Sequence, residues 1–410
     1  MTPQSMLRAL FDHAVEVADP MRSLAQVLPP KPKGRVLVIG AGKASARMAE
    51  AVEAAWGPCA GLVITRYGYA RPCKGIEIVE AAHPVPDAAG VTATRRILDI
   101  VSGAGADDFV LALISGGGSA LLCAPAAGIS LSEKQALTQD LLASGAPIGD
   151  INGIRKEISA VKGGRLAAAA YPARMLTLMV SDVPGDDPGD IASGPTVGHR
   201  GDASRALAVL NTWGITPPPA IRDFLAAGGD PIPPTDVRLS RVQNVICAAP
   251  SQSLAAAAKI AAAAGYPTDI LGDAVQGEAR DIARAHAAIA RRAKGPRIIL
   301  SGGELTVMRR GNGIGGPNAE YALALALALE GAVGIHAIAC DTDGVDGVAE
   351  VAGAQIGPQT LARARARGVD AAKALDQNDA HRFFAAIDGQ IITGPTLTNV
   401  NDFRAILIEG

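Results

Sequence analysis

The 410-residue chain predicts an α/β protein of two domains, the first a Rossmann-like doubly wound sheet, with the active site in the cleft between them. Three observations carry this. Short apolar runs rich in branched residues alternate with helix-length segments. Glycine-rich or acidic turns follow several of those runs directly, as they do at the carboxyl ends of strands in open α/β sheets. A Pro- and Gly-rich stretch at 213–234 then separates two such alternations. The expected domains are 31–234 and 235–410, with a helical segment, 1–30, packing on either.

Composition narrows the class further. Hydrophobic residues make up 49% of the chain, which excludes a disordered polymer, and a formal charge of −2 gives no electrostatic basis for binding nucleic acid or an anionic membrane. A small-molecule partner is expected instead, with the protein a monomer or homodimer. The cysteines Cys59, Cys73, Cys123, Cys247 and Cys340 are scattered, odd in number and lack a CxxC pair. That disfavours a disulfide framework or zinc site and suggests a reducing, cytoplasmic compartment. The N-terminus carries Asp12, Glu16 and Asp19 where a leader would be basic and apolar, and no run approaches the roughly 20 apolar residues of a membrane span.

In chain order, residues 6–27 space Leu7, Leu10, Phe11, Val15 and Val17 as a partial helical stripe, until the proline-rich 29–34 breaks it. Strands are expected at 36–39, 62–65, 77–79, 109–114 and 175–180, with helices at 44–55, 88–101 and 133–142 between them. Beyond the boundary stretch, strands at 242–248, 269–271, 297–300 and 335–339 alternate with helices at 253–264, 278–294 and 319–329. The alanine-rich 254–264 and 322–329 read as packed helices, because they are short and flanked by strands.

GAGKAS at 40–45 follows the first strand and opens a helix, the setting of a dinucleotide turn in which Gly40 and Gly42 let backbone approach a ligand. Ser45 stands where the third glycine would be, and the next strand ends at Thr65 and Arg66 without the acid that binds an NAD ribose. Arg66 could instead take an NADP phosphate. A lysine at a helix N-terminus opposes the dipole, so Lys43 is expected to serve a ligand phosphate, an ordinary solvated lysine being the alternative. Ser115, Gly116, Gly117, Gly118 and Ser119 form either a phosphate cradle or a merely tight turn, and the absent trailing glycine argues against a hydrolase nucleophile elbow.

Arg155, Lys156 and Lys162 gather among glycines, which suits oxyanion binding or a solvated face, and Arg155 could grip a carboxylate with two hydrogen bonds. Asp182, Asp186, Asp187 and Asp190 lie with Ser193 and Thr196. Such hard oxygens suit Mg²⁺, although aspartates in turns often only cap. Gly302, Gly303 and Glu304 make a third loop. Asp341, Asp343 and Asp346 make a fourth, unlike a calcium loop because its twelfth position is Ala352. His83 in HPVPD could be a base, but its proline-flanked setting favours a structural histidine.

GAGKAS, HPVPD, SGGGSALL at 115–122, NGIRKEISAVKGG at 152–164, SDVPGDDPGDIASGPT at 181–196, LSGGE at 300–304, DTDGVDG at 341–347 and TGPTLTNVND at 393–402 together resemble glycerate 2-kinases, whose relatives are often named hydroxypyruvate reductase. The resemblance spans 36–402. It implies two α/β domains, ATP and D-glycerate meeting in the cleft, and transfer of the γ-phosphoryl group to the 2-hydroxyl to give 2-phosphoglycerate and ADP. The family's lysine in the first glycine turn falls on Lys43. A second family cation belongs to a GGRNQE motif, but here that stretch is GGPNAE at 315–320. Pro317 offers no charge, so either another cation substitutes or the activity differs.

The residues expected to act are therefore Lys43 and Asp182 as catalytic groups, with Asp182 a base or a metal ligand. Arg155, Lys156 and Lys162 would bind the substrate. Gly40, Gly42, Ser115, Gly116, Gly117, Gly118, Ser119, Gly302, Gly303 and Asn318 would bind ATP. Asp182, Asp187, Asp190, Glu304, Asp341 and Asp343 would hold Mg²⁺. Two rivals remain: an NADPH-dependent hydroxypyruvate reductase, resting on the Gly40 turn and Arg66, and a non-catalytic nucleotide sensor.

Overall fold

In the computed structural model, which describes residues 1–410 apart from the side chain of Ile148, each alternation becomes a sheet. Strand β1 (Val36–Ala41) pairs in parallel with β2 (Ala60–Arg66) and β4 (Phe109–Ser115). β2 pairs likewise with β3 (Ile76–Ala81), and β4 with β5 (Arg174–Val180). With β6 (Val242–Ala248) the order is β3-β2-β1-β4-β5-β6. β1 and β4 are buried along their whole length, as central strands of a parallel sheet must be. The order reverses between them, at the switch point where open α/β sheets bind ligands. Gly40 stands beside Leu113 and Ala41 beside Ile114, so the turns after β1 and β4 leave the sheet abreast.

The second sheet comprises β7 (Thr268–Ile270), β9 (Arg297–Gly302), β11 (Ile335–Asp341), β12 (Gly353–Ile356), β13 (Gln390–Ile391) and β14 (Asp402–Ile408), in the order β13-β12-β11-β14-β9-β7. A two-stranded ribbon joins β8 (Gly277–Glu278) to β10 (Leu305–Thr306). This sheet is mixed: β14 runs antiparallel to both β11 and β9, while β7 and β9 are parallel. The sequence predicts no strand after 339 and so misses β14, an interior strand disguised by Arg404 in the middle of an apolar run. Alternate residues of β9 and β14 serve opposite faces. Ile298, Leu300, Phe403 and Leu407 pack with Leu7, Leu10, Phe11, Leu254 and Ala257. Ile299 and Ile406 pack with Ala283, Ala287, Leu323 and Leu325 from two other helices.

The chain divides into two compact units, here called C-terminal (Met1–Asp19, Asp182–Gly185 and Ala248–Gly410) and N-terminal (Pro20–Ser181 and Asp186–Cys247). The boundary expected after 234 thus moves to 247, because β6 belongs to the first sheet. The segment 1–30 also splits. The helix Pro3–Ala18, capped by Thr2 accepting from the Ser5 N–H, ends just before Pro20, which disfavours helical backbone in the residue preceding it. It lies in the C-terminal unit, with Phe11 and Phe403 ring centroids 6.0 Å apart. Burying each such side chain stabilises the unit by about 1.5–3 kcal/mol.

Candidate active site

The turn after β1 closes on Gly42, whose φ is +147° and where a methyl group would overlap the Ser115 side chain. Lys43 N–H donates to the Gly116 carbonyl at 2.8 Å, and Ala44 N–H to Ser115 Oγ at 3.0 Å. Ser45 Oγ donates to the Leu113 carbonyl at 2.9 Å and lies 3.1 Å from Ser115 Oγ. The turns after β1 and β4 are thereby one piece. Ser115, expected to contact a cofactor, is instead buried and spent as a strut between them. A methyl group on Gly117, whose φ is +78°, would lie 3.1 Å from Lys43 Cγ and 3.1 Å from His83 Cδ2, so a lysine and an imidazole flank this one residue. Arg66 stacks 5.2 Å from the Tyr69 ring centroid.

From Ser119 a chain of polar contacts crosses the N-terminal unit. Ser119 Oγ is 2.7 Å from Ser193 Oγ, Ser193 Oγ donates to Asn152 Oδ1 at 3.0 Å, and Arg155 Nη1 reaches the same oxygen at 3.5 Å. Because Ser193 gives its single hydrogen to Asn152, Ser119 is the donor in the first bond. Ala192 and Ser193 have φ of +52° and +61°. Such left-handed non-glycine residues cost on the order of 1–3 kcal/mol each and persist only where their surroundings enforce them.

The enforcement comes from Lys162, Gly163 and Gly164. Lys162 Nζ donates to the Leu122 carbonyl at 3.0 Å and to that of Ala192 at 3.5 Å. The Gly163 and Gly164 N–H groups donate to the carbonyls of Ser193 (3.2 Å) and Gly194 (2.8 Å). Lys162 is completely buried, and burial holds its ammonium well below the usual lysine range. Its expected contact with substrate therefore gives way to anchoring a strained loop. Arg155 differs: burial pushes its guanidinium down to about 10, and it forms no ion pair among the described residues.

The expected metal ligands divide between the units. In the N-terminal unit Asp190 Oδ1 accepts from Lys156 Nζ at 3.0 Å, and Asp187 Oδ1 accepts from the Gly189 N–H at 2.7 Å. Asp187 holds its own turn, while Asp190 is tied to Lys156, which is neutralised there. Asp182 belongs to the C-terminal unit, where Asn399 Nδ2 donates to its Oδ2 at 3.1 Å and Asn401 Nδ2 to its carbonyl at 2.9 Å. Thr342 Oγ1 donates to the Asn401 carbonyl at 2.7 Å. Asp341 Oδ1 accepts from the Asp343 N–H at 2.9 Å, and Asp343 Oδ1 from the Val345 N–H at 2.8 Å. The loops at 341–347 and 393–402 thus hold Asp182. Among the described residues, no three His, Cys, Asp or Glu side chains form a group able to hold a metal ion.

The carbonyls of Gly302 and Gly303 and the amide nitrogen of Asn318, all expected at the ATP site, are engaged inside the C-terminal unit. The Gly302 N–H donates to the Gly272 carbonyl at 2.8 Å, and the carbonyls of Gly302 and Gly303 accept from Arg404 Nη2 at 2.5 and 3.0 Å. Asn318 is buried, its Nδ2 donating to Asp402 Oδ1 at 2.6 Å. Asp346 accepts from the Asn318 and Ala319 N–H groups, capping the helix Pro317–Leu329, where Pro317 in the first turn sacrifices no hydrogen bond. Glu304 is exposed beside β10. Asn152 and Asn399 are not among the site residues expected from sequence, because a neutral amide gives no charge signal.

The domain of unknown function DUF4147 matches residues 6–226, and the MOFRL family matches 297–402. The chain is 49% identical to a putative hydroxypyruvate reductase of Agrobacterium vitis, covering 100% of this chain and 95% of that protein. It is 37% identical to the D-glycerate 2-kinase of Thermotoga maritima, covering 99% of both. To the glycerate 2-kinase of Pyrococcus horikoshii it is 36% identical, covering 97% and 96%. The crystal structure of glycerate kinase from Thermotoga maritima matches with a TM-score of 0.87 at 36% identity, covering 99% of this chain and 100% of that one. By its matched domains, its full-length relatives and its fold, the chain belongs to the glycerate 2-kinase family.

Proposed function

We propose that this protein transfers the γ-phosphoryl group of ATP to the 2-hydroxyl of D-glycerate, giving 2-phosphoglycerate and ADP. The observation that carries this reading is the continuity of the N-terminal site. Lys43 flanks the glycine turn at 116–118, and Ser119 leads through Ser193 and Asn152 to Arg155, a cation without an acidic partner. One end suits phosphate and the other a carboxylate, as a phosphorylatable hydroxy acid requires. Phosphoryl transfer depends mainly on alignment and charge neutralisation. Lys43 is assigned to the transferred group, the N–H groups of the turn to the phosphate chain, and Arg155 to the glycerate carboxylate.

Mg²⁺ keeps several waters and takes one or two carboxylates together with substrate phosphates, so Asp182 and Asp341, on loops joined through Asn401 and Thr342, suit it without a three-residue cage. It would neutralise charge on the phosphates. Ser45 in place of the third glycine and the stacking of Arg66 on Tyr69 weigh against a nicotinamide site. The test uses purified protein with D-glycerate and Mg-ATP, followed for ADP with the phosphorylated carbon located by ³¹P NMR, and separately with hydroxypyruvate and NADPH. ADP formation dependent on glycerate, with phosphorus on the C2 oxygen, is expected. Faster oxidation of NADPH than formation of ADP would establish the reductase instead.

A further inference from the structure

β3 is the edge strand of the first sheet, separated from β4 by β2 and β1, yet the residue two positions past its end reaches the β4 turn. His83 Nε2 would lie 3.3 Å from a methyl group on Gly117, beside the 3.1 Å approach of Lys43 Cγ. The absent side chain at Gly117 is what leaves room for both groups.

We propose that His83 is the general base of the transfer. This rests on the kinase reading. Its imidazole nitrogen accepts the proton of the glycerate 2-hydroxyl while the hydroxyl oxygen bonds to the γ-phosphorus. The bond from that phosphorus to the bridging oxygen of ADP breaks, and its electron pair leaves with ADP. The imidazolium then releases the proton to water.

The neighbouring groups are unsuited to this step. Lys43 and Arg155 are cations, and Ser119 gives its proton to Ser193. Asp87, in the same loop as His83, is committed at both oxygens: Oδ1 accepts from the Gly90 N–H at 2.9 Å and Oδ2 from the Tyr67 hydroxyl at 2.8 Å. Asp182 is already assigned to Mg²⁺, its Oδ2 accepting from Asn399 Nδ2 at 3.1 Å. An imidazole is also the side chain whose ordinary proton affinity lies closest to neutrality, as an efficient base requires.

The experiment compares the full-length protein with His83→Gly and His83→Asn, measuring kcat, KM for each substrate, thermal midpoint and the effect of added imidazole. Loss of a general base predicts a kcat lower by about 10²–10⁴-fold in both variants, with KM and midpoint little changed. Imidazole should raise the rate of His83→Gly in proportion to its concentration. A kcat within about 3-fold of the unaltered protein in a folded variant, or a loss that imidazole does not relieve, would overturn the assignment. If the unaltered protein itself forms no ADP from glycerate and Mg-ATP, it is the kinase reading that fails.

Discussion

The two units treat buried cationic charge in opposite ways. In the C-terminal unit it is paired: Arg280 Nε meets Glu320 Oε1 at 2.7 Å, and Arg404 Nη1 meets Asp402 Oδ2 at 2.9 Å. The N-terminal unit buries Lys134 and Lys162 with carbonyl oxygens as their hydrogen-bond acceptors, and holds Arg155 against a neutral amide. Pairing makes a framework whose loss of one partner is severe, because a charge is left behind in a medium that cannot solvate it. Leaving cations without carboxylates keeps a positive field available to an anionic ligand. One unit thus spends its buried cations on ion pairs, and the other leaves Arg155 without a carboxylate partner among the described residues.

The largest test of this contrast is on stability. Arg404→Ala strands Asp402, whose carboxyl burial already pushes upward, and should destabilise the C-terminal unit by about 3–5 kcal/mol, read as a lower midpoint of urea unfolding. Adding Asp402→Asn should recover part of that loss. A midpoint unchanged in Arg404→Ala would mean the pair is not structural. In the N-terminal unit, Lys43→Ala should lower kcat by about 10²–10³-fold while the unfolding midpoint stays near that of the unaltered protein. A normal kcat would leave Lys43 a surface cation.

Arg155→Gln should lower kcat/KM for glycerate by roughly 10²-fold, the scale of a lost charged bidentate contact. Arg309 and Arg310 also lie near the motif where the family arginine is replaced by Pro317, but both are exposed, and Arg309 Nε bonds to the Gly311 carbonyl. The same change at either should cost under about 5-fold. The reverse ranking would place the compensating cation in the C-terminal unit. The smallest effect is expected from Asn152→Ala, which leaves Arg155 in place but removes the oxygen that orients it. KM for glycerate should rise by about 5–10-fold with kcat less affected, since roughly 1 kcal/mol of orienting hydrogen bond is lost. An unchanged KM would show that Arg155 is held by packing alone.

The first sheet was legible in the sequence because its strands are continuous apolar runs and its glycine turns are local: Gly40 to Lys43 and Ser115 to Ser119 each declare themselves within a few residues. Arg155 stands out in the sequence for a similar reason, as a cation among glycines. Ser115 was misread because its hydroxyl is consumed by Ser45 and Ala44, some 70 residues away. Lys162 was misread because a charge in a glycine-rich segment signals a ligand until burial shows it holding carbonyls. Asp182 follows β5 in sequence, but folding places it with Asn399 in the other unit.

The sequence by itself determined the α/β class, the positions of the glycine turns and the kinase resemblance. Each of these depends on periodicity or on the conformational freedom of a few adjacent residues. Only tertiary structure decided that β14 would sit inside a mixed sheet, that Ser119 would connect to Arg155, and that His83 would cross two strands to stand beside Lys43. Those outcomes depend on contacts between residues distant in the chain, where burial and partner choice, which no local pattern records, settle what each polar group does.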